Sequence, residues 1–118
     1  MNYLGLDYGQ KHIGIALATG PLAEPLTTIP TENALQLIKE LINKYRIQAI
    51  IIGTHDESFQ KLLEQLGIPV YEVDETLSSH DARQSLLHTS QKKRRLSEHA
   101  ASASIILQSW LDSHPREL

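Results

Sequence analysis

The chain has 118 residues, of which 41% are hydrophobic, and we expect one domain, residues 1–118, with its own core. It has no cysteine, which excludes a thiol nucleophile, a disulfide scaffold and thiolate zinc sites, and its net charge of −3 excludes a general attraction to nucleic acid. No apolar run reaches the length of a membrane span and no signal-peptide pattern is present, so we expect a cytoplasmic protein without membrane contact.

The first predicted element is a hairpin. Residues 3–7 read as a short strand that ends in the carboxylate of Asp7, Gly9 marks a tight turn, and residues 13–18 read as the second strand. Beside Asp7, on the same face, Gly5 leaves a space that could admit a metal, a phosphate backbone or a closely packed helix. The second strand has one face of small residues that would let a helix approach closely: Gly14, Ala16 and Ala18.

The middle of the chain predicts a third strand, a helix and a buried strand. Residues 21–29 read as an extended segment, and their two prolines place it at an edge or a bulge of the sheet. Thr31 is a candidate cap for a helix that runs to about Arg46. The apolar run 49–53 lacks alternation, which is typical of a parallel strand that is covered on both faces.

The last third of the chain predicts three helices and one strand. A helix from Ser58 to Gly67 precedes a strand over 70–75, and a further helix is predicted over 78–88. The basic cluster 92–95 reads as part of a loop, followed by a last helix with Ser97 as its cap. This order predicts an α/β fold with one mixed five-stranded sheet, strands 1–3 antiparallel and strands 4–5 parallel, and helices on its faces.

Several motifs occur in a fixed order along the chain: GLDYG at 5–9 with IGIA at 13–16, PLTTI at 25–29, VDETLSS at 73–79, and IILQSWLD at 105–112. Together they resemble the YqgF family, also called RuvX or pre-16S rRNA nuclease, a bacterial branch of the RNase H-like fold that is related to the RuvC Holliday junction resolvases. The chain departs from the family pattern at Thr76, where arginine is usual, and in the short loop after Gly53.

The resemblance implies a metal-dependent nuclease site with three acidic positions, which fall on Asp7, Glu75 and His99. Two-metal hydrolysis of a phosphodiester needs oxygen ligands that flank Mg²⁺ or Mn²⁺, and carboxylates suit that task. Asp74 must point to the opposite face of its strand from Glu75, and the family pattern favours Glu75 as the ligand. Where the family has aspartate, His99 would shift the preference towards Mn²⁺, since imidazole prefers softer cations than Mg²⁺.

The role of His99 depends on its place in the last helix. If Ser97 caps that helix, His99 lies in the first turn, where the helix dipole disfavours the imidazolium and leaves a neutral ring that can bind metal. The alternatives are that His99 only contacts phosphate or water, or that the site has lost activity.

The basic side chains of Lys92, Lys93, Arg94 and Arg95 are candidate phosphate contacts near this site, and a solvated loop is the alternative interpretation. Lys11, in the hairpin turn, is a further candidate.

The resemblance implies that the chain acts on nucleic acid, either in processing the 5′ end of pre-16S rRNA or on branched DNA as a Holliday junction resolvase. A third possibility is a catalytically weak RNA-binding factor in ribosome maturation. A resolvase cuts two strands symmetrically, so a homodimer would favour that reading and a monomer would oppose it. The Asp7 and Gly9 pattern also occurs in actin-like and sugar-kinase ATPases, but those proteins close two such domains around a nucleotide.

Overall fold

The computed structural model describes residues 2–53, 57–73 and 91–113, apart from the side chains of Glu57 and residues 91–97. The elements follow one another along the chain in this order: β1 (Tyr3–Asp7), β2 (His12–Ala18), β3 (Ala23–Pro30), α1 (Ala34–Tyr45), β4 (Ala49–Ile52), α2 (Glu57–Glu64), β5 (Val70–Glu72) and α3 (Gln91–Ser113). A single 3₁₀ turn, Thr31–Asn33, precedes α1. In these ranges no helix is both long enough and apolar enough to cross a lipid bilayer.

The five strands form one sheet in the order β3-β2-β1-β4-β5. The first three strands pair antiparallel, and β4 pairs parallel with both β1 and β5, which confirms the predicted mixed sheet. The third strand lies at the edge, and the register shifts between Ile15 and Ala16 opposite it, as its prolines predicted. Because β1, β4 and β5 run parallel, their carboxyl ends meet at one edge of the sheet.

Each face of the sheet carries its own hydrophobic core. The side chains of β4 alternate between them: Ile50 and Ile52 point to one core, and Ala49 and Ile51 to the other. This strand is fully buried, as its unbroken apolar run predicted. One core includes α1 and α2 through Ala34, Ile38, Phe59 and Leu63, and the other includes α3 through Ala103, Ile106, Leu107 and Leu111.

Helix α3 packs directly on the glycines of β1 and β2. A Cβ atom built on Gly5 would lie 2.7 Å from the carbonyl oxygen of Ala103 and 2.7 Å from the Cβ of Leu107, and one built on Gly14 would overlap the carbonyl of His99. Of the three occupants considered for the space beside Gly5, the structure shows the closely packed helix. The face of small residues on β2 therefore receives α3, as predicted.

The start of α3 differs from the prediction. The helix includes residues 91–97, so the basic cluster 92–95 lies in a helix and not in a loop, and Ser97 does not cap it. The reason is intrinsic preference: Gln, Lys, Arg and Leu favour a helix interior, which outweighs the tendency of one serine to begin a helix.

The prediction that Thr31 caps α1 is also wrong. Asn33 is the cap residue and makes no capping side-chain bond, while the Thr31 hydroxyl donates across to the β1–β2 turn. The predicted end of α1 is confirmed, since Arg46 adopts a left-handed conformation with φ of 52°. The predicted helix over 78–88, the loop residues 54–56, and residues 74 and 75 lie outside the described ranges.

Candidate active site

Asp7 is the last residue of β1 and lies on the face of the sheet that α3 covers. It pairs in register with Gly14 of β2, and it is 8% exposed. Within the described part of the chain it is the only buried acidic residue. Burial of a carboxylate costs free energy unless the charge is paired, so the partner of Asp7 determines what the site can do.

The partner is His99 of α3. Its Nδ1 lies 3.1 Å from the Oδ2 of Asp7, and its side chain is 36% exposed. The hydrogen bond to Asp7 raises the pKa of His99, the charges of Asp7 and Glu98 act in the same direction, and partial burial opposes them. The contact with Asp7 therefore favours the protonated ring more than water does.

The predicted position of His99 in the first helical turn is wrong, and two observations remove the basis on which a neutral ring was expected. Helix α3 begins no later than Gln91, so His99 lies in the third turn, beyond the reach of the dipole at the helix start. The carboxylate of Asp7 is also in direct contact and favours the imidazolium. The predicted proximity of Asp7 and His99 is nevertheless what the structure shows.

The β1–β2 turn lies against the His99 ring. A Cβ atom built on Gly9 would be 2.6 Å from the carbonyl oxygen of His12 and 3.1 Å from the Cε1 of His99, so a side chain here would clash with the turn backbone and press on the ring. The turn is held from the 3₁₀ turn that follows β3: the Thr31 hydroxyl donates to the Gly9 carbonyl over 2.7 Å, and the Thr31 N–H donates to the Lys11 carbonyl over 2.9 Å. This role of Thr31 was not predicted from the sequence, where Thr31 was expected to cap α1.

The donor atoms of Asp7 and His99 suit a divalent cation as well as a proton. Two neighbouring ligands at 2.0–2.1 Å from an octahedral ion lie about 3 Å apart, which matches the 3.1 Å between Nδ1 and Oδ2. One carboxylate and one imidazole form an incomplete set, and among the described side chains no three potential ligands come together. Glu75, the other predicted ligand, lies outside the described ranges.

The predicted phosphate-binding residues lie along two elements of this site. Lys11 is exposed in the β1–β2 turn, beside Gly9. The backbone of residues 92–95 occupies the part of α3 that lies one to two turns before His99. Their contact with nucleic acid stays a prediction.

A family model described as "RuvX: Holliday junction resolvase" matches residues 1–113. This chain belongs to the RuvX family. Curated relatives carry the name "Putative pre-16S rRNA nuclease": one from Syntrophus aciditrophicus is 36% identical and covers 99% of this chain and 92% of its own length. Another, from Roseiflexus sp., is 35% identical and covers 93% of each chain. The first alignment runs over 138 residues, so that relative carries residues with no counterpart in this RuvX chain.

Solved structures of Holliday junction resolvases share the fold. Thermus thermophilus RuvC in complex with a Holliday junction substrate aligns with a TM-score of 0.59 at 14% identity, over 98% of this chain and 96% of that chain. The fowlpox virus resolvase in complex with Holliday junction DNA aligns with a TM-score of 0.66 at 13% identity, over 98% and 100%. These likenesses confirm the RNase H-like fold of this RuvX protein.

Proposed function

We propose that residues 1–118 form one cytoplasmic nuclease domain that hydrolyses phosphodiester bonds with Mg²⁺ or Mn²⁺ and processes the 5′ end of pre-16S rRNA. The observation that carries the proposal is the buried carboxylate of Asp7, paired with His99 at the edge where three parallel strands end. Membership of the RuvX family and 36% identity to a relative named for pre-16S rRNA support the substrate.

Asp7 and His99 would hold the cation through Oδ2 and Nδ1, and Glu75 would join them by its position in the family motif. When bound, the cation supplies activation of the attacking water and stabilisation of the leaving oxygen. Without it, Nδ1 of His99 holds a proton against Asp7, so cation binding requires that this proton leave. The burial of Asp7 limits the access of bulk water to its carboxylate and strengthens its interaction with a positive charge.

The basic residues would bring the phosphate backbone to this edge of the sheet. Lys11 stands in the turn that contacts the His99 ring, and residues 92–95 precede His99 on the same helix. Contacts to phosphate release counterions, so binding should weaken steeply as salt rises. They carry no sequence information and would position the strand for cleavage.

Holliday junction resolution is a second candidate, because the family model is described by that activity and RuvC shares the fold. We favour precursor rRNA, since two relatives named for it are 36% and 35% identical to this chain, whereas the RuvC and fowlpox resolvase structures are 14% and 13% identical. Resolution of a junction requires paired cuts, and hence a homodimer. A chain that stays monomeric on a four-way junction would oppose this candidate.

The test is cleavage of labelled precursor 16S rRNA and of a four-way DNA junction, each with Mg²⁺ or Mn²⁺. We expect the wild type to cut the rRNA, and Asp7→Asn to lose cleavage while it keeps its fold, because the amide keeps the shape and removes the charge. The matched control is Asp112→Asn, which makes the same change at an exposed position of α3 and should stay active. Cleavage by Asp7→Asn would refute the mechanism.

His99→Asp, tested on the same substrates, distinguishes a nuclease from a binding factor. It restores the acidic residue of the family pattern, so we expect retained cleavage with a shift in preference from Mn²⁺ towards Mg²⁺. If the wild type binds without cutting and His99→Asp gains activity, the natural protein is an RNA-binding factor on a nuclease fold.

A further inference from the structure

Thr31 lies outside the β1–β2 turn and holds that turn in place through hydrogen bonds. Thr31 makes two hydrogen bonds to it, from its hydroxyl to the Gly9 carbonyl at 2.7 Å and from its N–H to the Lys11 carbonyl at 2.9 Å. Both distances are good for hydrogen bonds, and the hydroxyl bond is partly buried. Thr31 therefore fixes both sides of Gln10, the exposed tip of the turn.

The β1–β2 turn packs against one side of the His99 ring. The Gly9 backbone lies so close to the ring that an added Cβ would be 3.1 Å from Cε1. The His99 ring also contacts Asp7, with 3.1 Å between Nδ1 of His99 and Oδ2 of Asp7. A continuous series of contacts thus joins Thr31 to Asp7, through Gly9 and His99.

We infer that Thr31 is a positioning residue, which sets the orientation of the His99 ring against Asp7 by holding the Gly9 carbonyl. Its consequence for cleavage rests on the function proposed above, whereas its effect on the ring does not. The hydroxyl is the acting group, because the backbone N–H of Thr31 would make its bond whatever the side chain. Valine has nearly the same shape as threonine and lacks the donor, and serine keeps the donor and loses the methyl group.

The first measurement is the NMR signal of the His99 ring Cε1–H group, assigned by its disappearance in His99→Gln. We expect Thr31→Val to shift this signal, since Gly9 lies against Cε1, and Thr31→Ser to restore it to near the wild-type position. The matched control is Thr27→Val on β3, the strand that precedes Thr31, where the side chain is exposed and the residue pairs opposite Ile15. Thr27→Val should leave the His99 signal unchanged.

The second measurement is the rate of cleavage under saturating and limiting substrate. We expect Thr31→Val to lower kcat by roughly 10- to 100-fold with little change in KM, since a displaced catalytic pair impairs chemistry more than binding. Thr31→Ser should recover most of the rate. Ile38→Val, which trims a fully buried side chain of α1, controls for a general loss of stability and should keep the wild-type kcat.

The outcomes separate the two proposals. An unshifted His99 signal in Thr31→Val, or equal effects of the valine and serine variants, would overturn the positioning role whether or not the protein cleaves RNA. A wild-type protein that cuts neither substrate would refute the proposed nuclease function, and the His99 signal would still decide the role of Thr31. A fall in kcat of the same size in Ile38→Val would reduce that role to general stability.

Discussion

The close approach of α3 to β2 makes Gly14→Ala the most demanding test of the site. An added Cβ would overlap the His99 carbonyl and lie 2.5 Å from the Ala100 nitrogen, whereas Cβ atoms essentially never come within 3.0 Å of such atoms. Backbone must therefore yield by at least about 0.5 Å at Ala100, and by more at His99. A displacement of that size is enough to lengthen the 3.1 Å contact between His99 and Asp7 beyond hydrogen-bond range.

The expected cost of Gly14→Ala follows from two opposing effects. Overpacking costs about 1–3 kcal/mol, and the loss of unfolded-state freedom on replacing glycine returns about 0.4–1 kcal/mol. We expect a net loss of roughly 1–2 kcal/mol in the free energy of unfolding, measured by urea denaturation, together with reduced cleavage.

Gly20→Ala is the matched control, because nothing lies within 4 Å of the added Cβ and Gly20 is not among the glycines with positive φ. It should be neutral, or more stable than the wild type by up to about 1 kcal/mol. If Gly14→Ala is as stable as Gly20→Ala and equally active, then the packing of α3 does not require a glycine at position 14, and the predicted cost is wrong.

Three further predictions concern pH, salt and the far end of α3. The bond to Asp7 raises the pKa of His99, so in metal-free protein the charged pair stabilises the fold below the ring's ordinary pKa of 6.5, and this contribution is lost as the pH rises through the raised pKa. Urea denaturation in EDTA should show the stability of the wild type falling relative to His99→Gln as the pH rises from below 6.5 through the raised pKa, and parallel curves would contradict this. Replacement of residues 92–95 by alanine, which favours helix, should weaken RNA binding and flatten its salt dependence in filter-binding assays, and unchanged affinity would make the cluster a solvated face. Gln108→Glu removes the amide donor to the Pro21 carbonyl and the Asp112 carboxylate, and it places a second carboxylate beside Asp112. It should cost about 1–2 kcal/mol in the free energy of unfolding, whereas an unchanged denaturation midpoint would refute the role of these contacts.

Much of the fold could be predicted because local signals and tertiary packing agree. The unbroken apolar run of β4 matches a strand covered on both faces, and the small residues of β2 match a helix that approaches closely. The prediction failed where two local preferences competed. Ser97 and Thr31 are both good caps by residue type, but Ser97 lies within a strongly helical segment and Thr31 has a better partner across the sheet.

The candidate site could be predicted as a pair of residues but not as a chemical state. Asp7 was singled out from the hairpin, and His99 only from its position in the family motif, since one histidine carries little information. Its protonation depends on the contact with Asp7, which is 92 positions away in sequence, and on the depth of His99 in α3. Neither quantity has a local sequence signal, so the expected first-turn position of His99 was wrong although its expected proximity to Asp7 was right.

Thr31 and Gly14 show why the supporting residues of a site are harder to predict than its charged ones. Each acts through backbone: Gly14 by the absence of a side chain under the His99 carbonyl, and Thr31 by a bond to the Gly9 carbonyl. A register that places Pro30 opposite His12 does put Thr31 next to the turn, so the strand pairing contained the signal. If these backbone contacts of Gly14 and Thr31 set the distance between Asp7 and His99, variants at the two positions should alter cation preference and cleavage without changing any charged group.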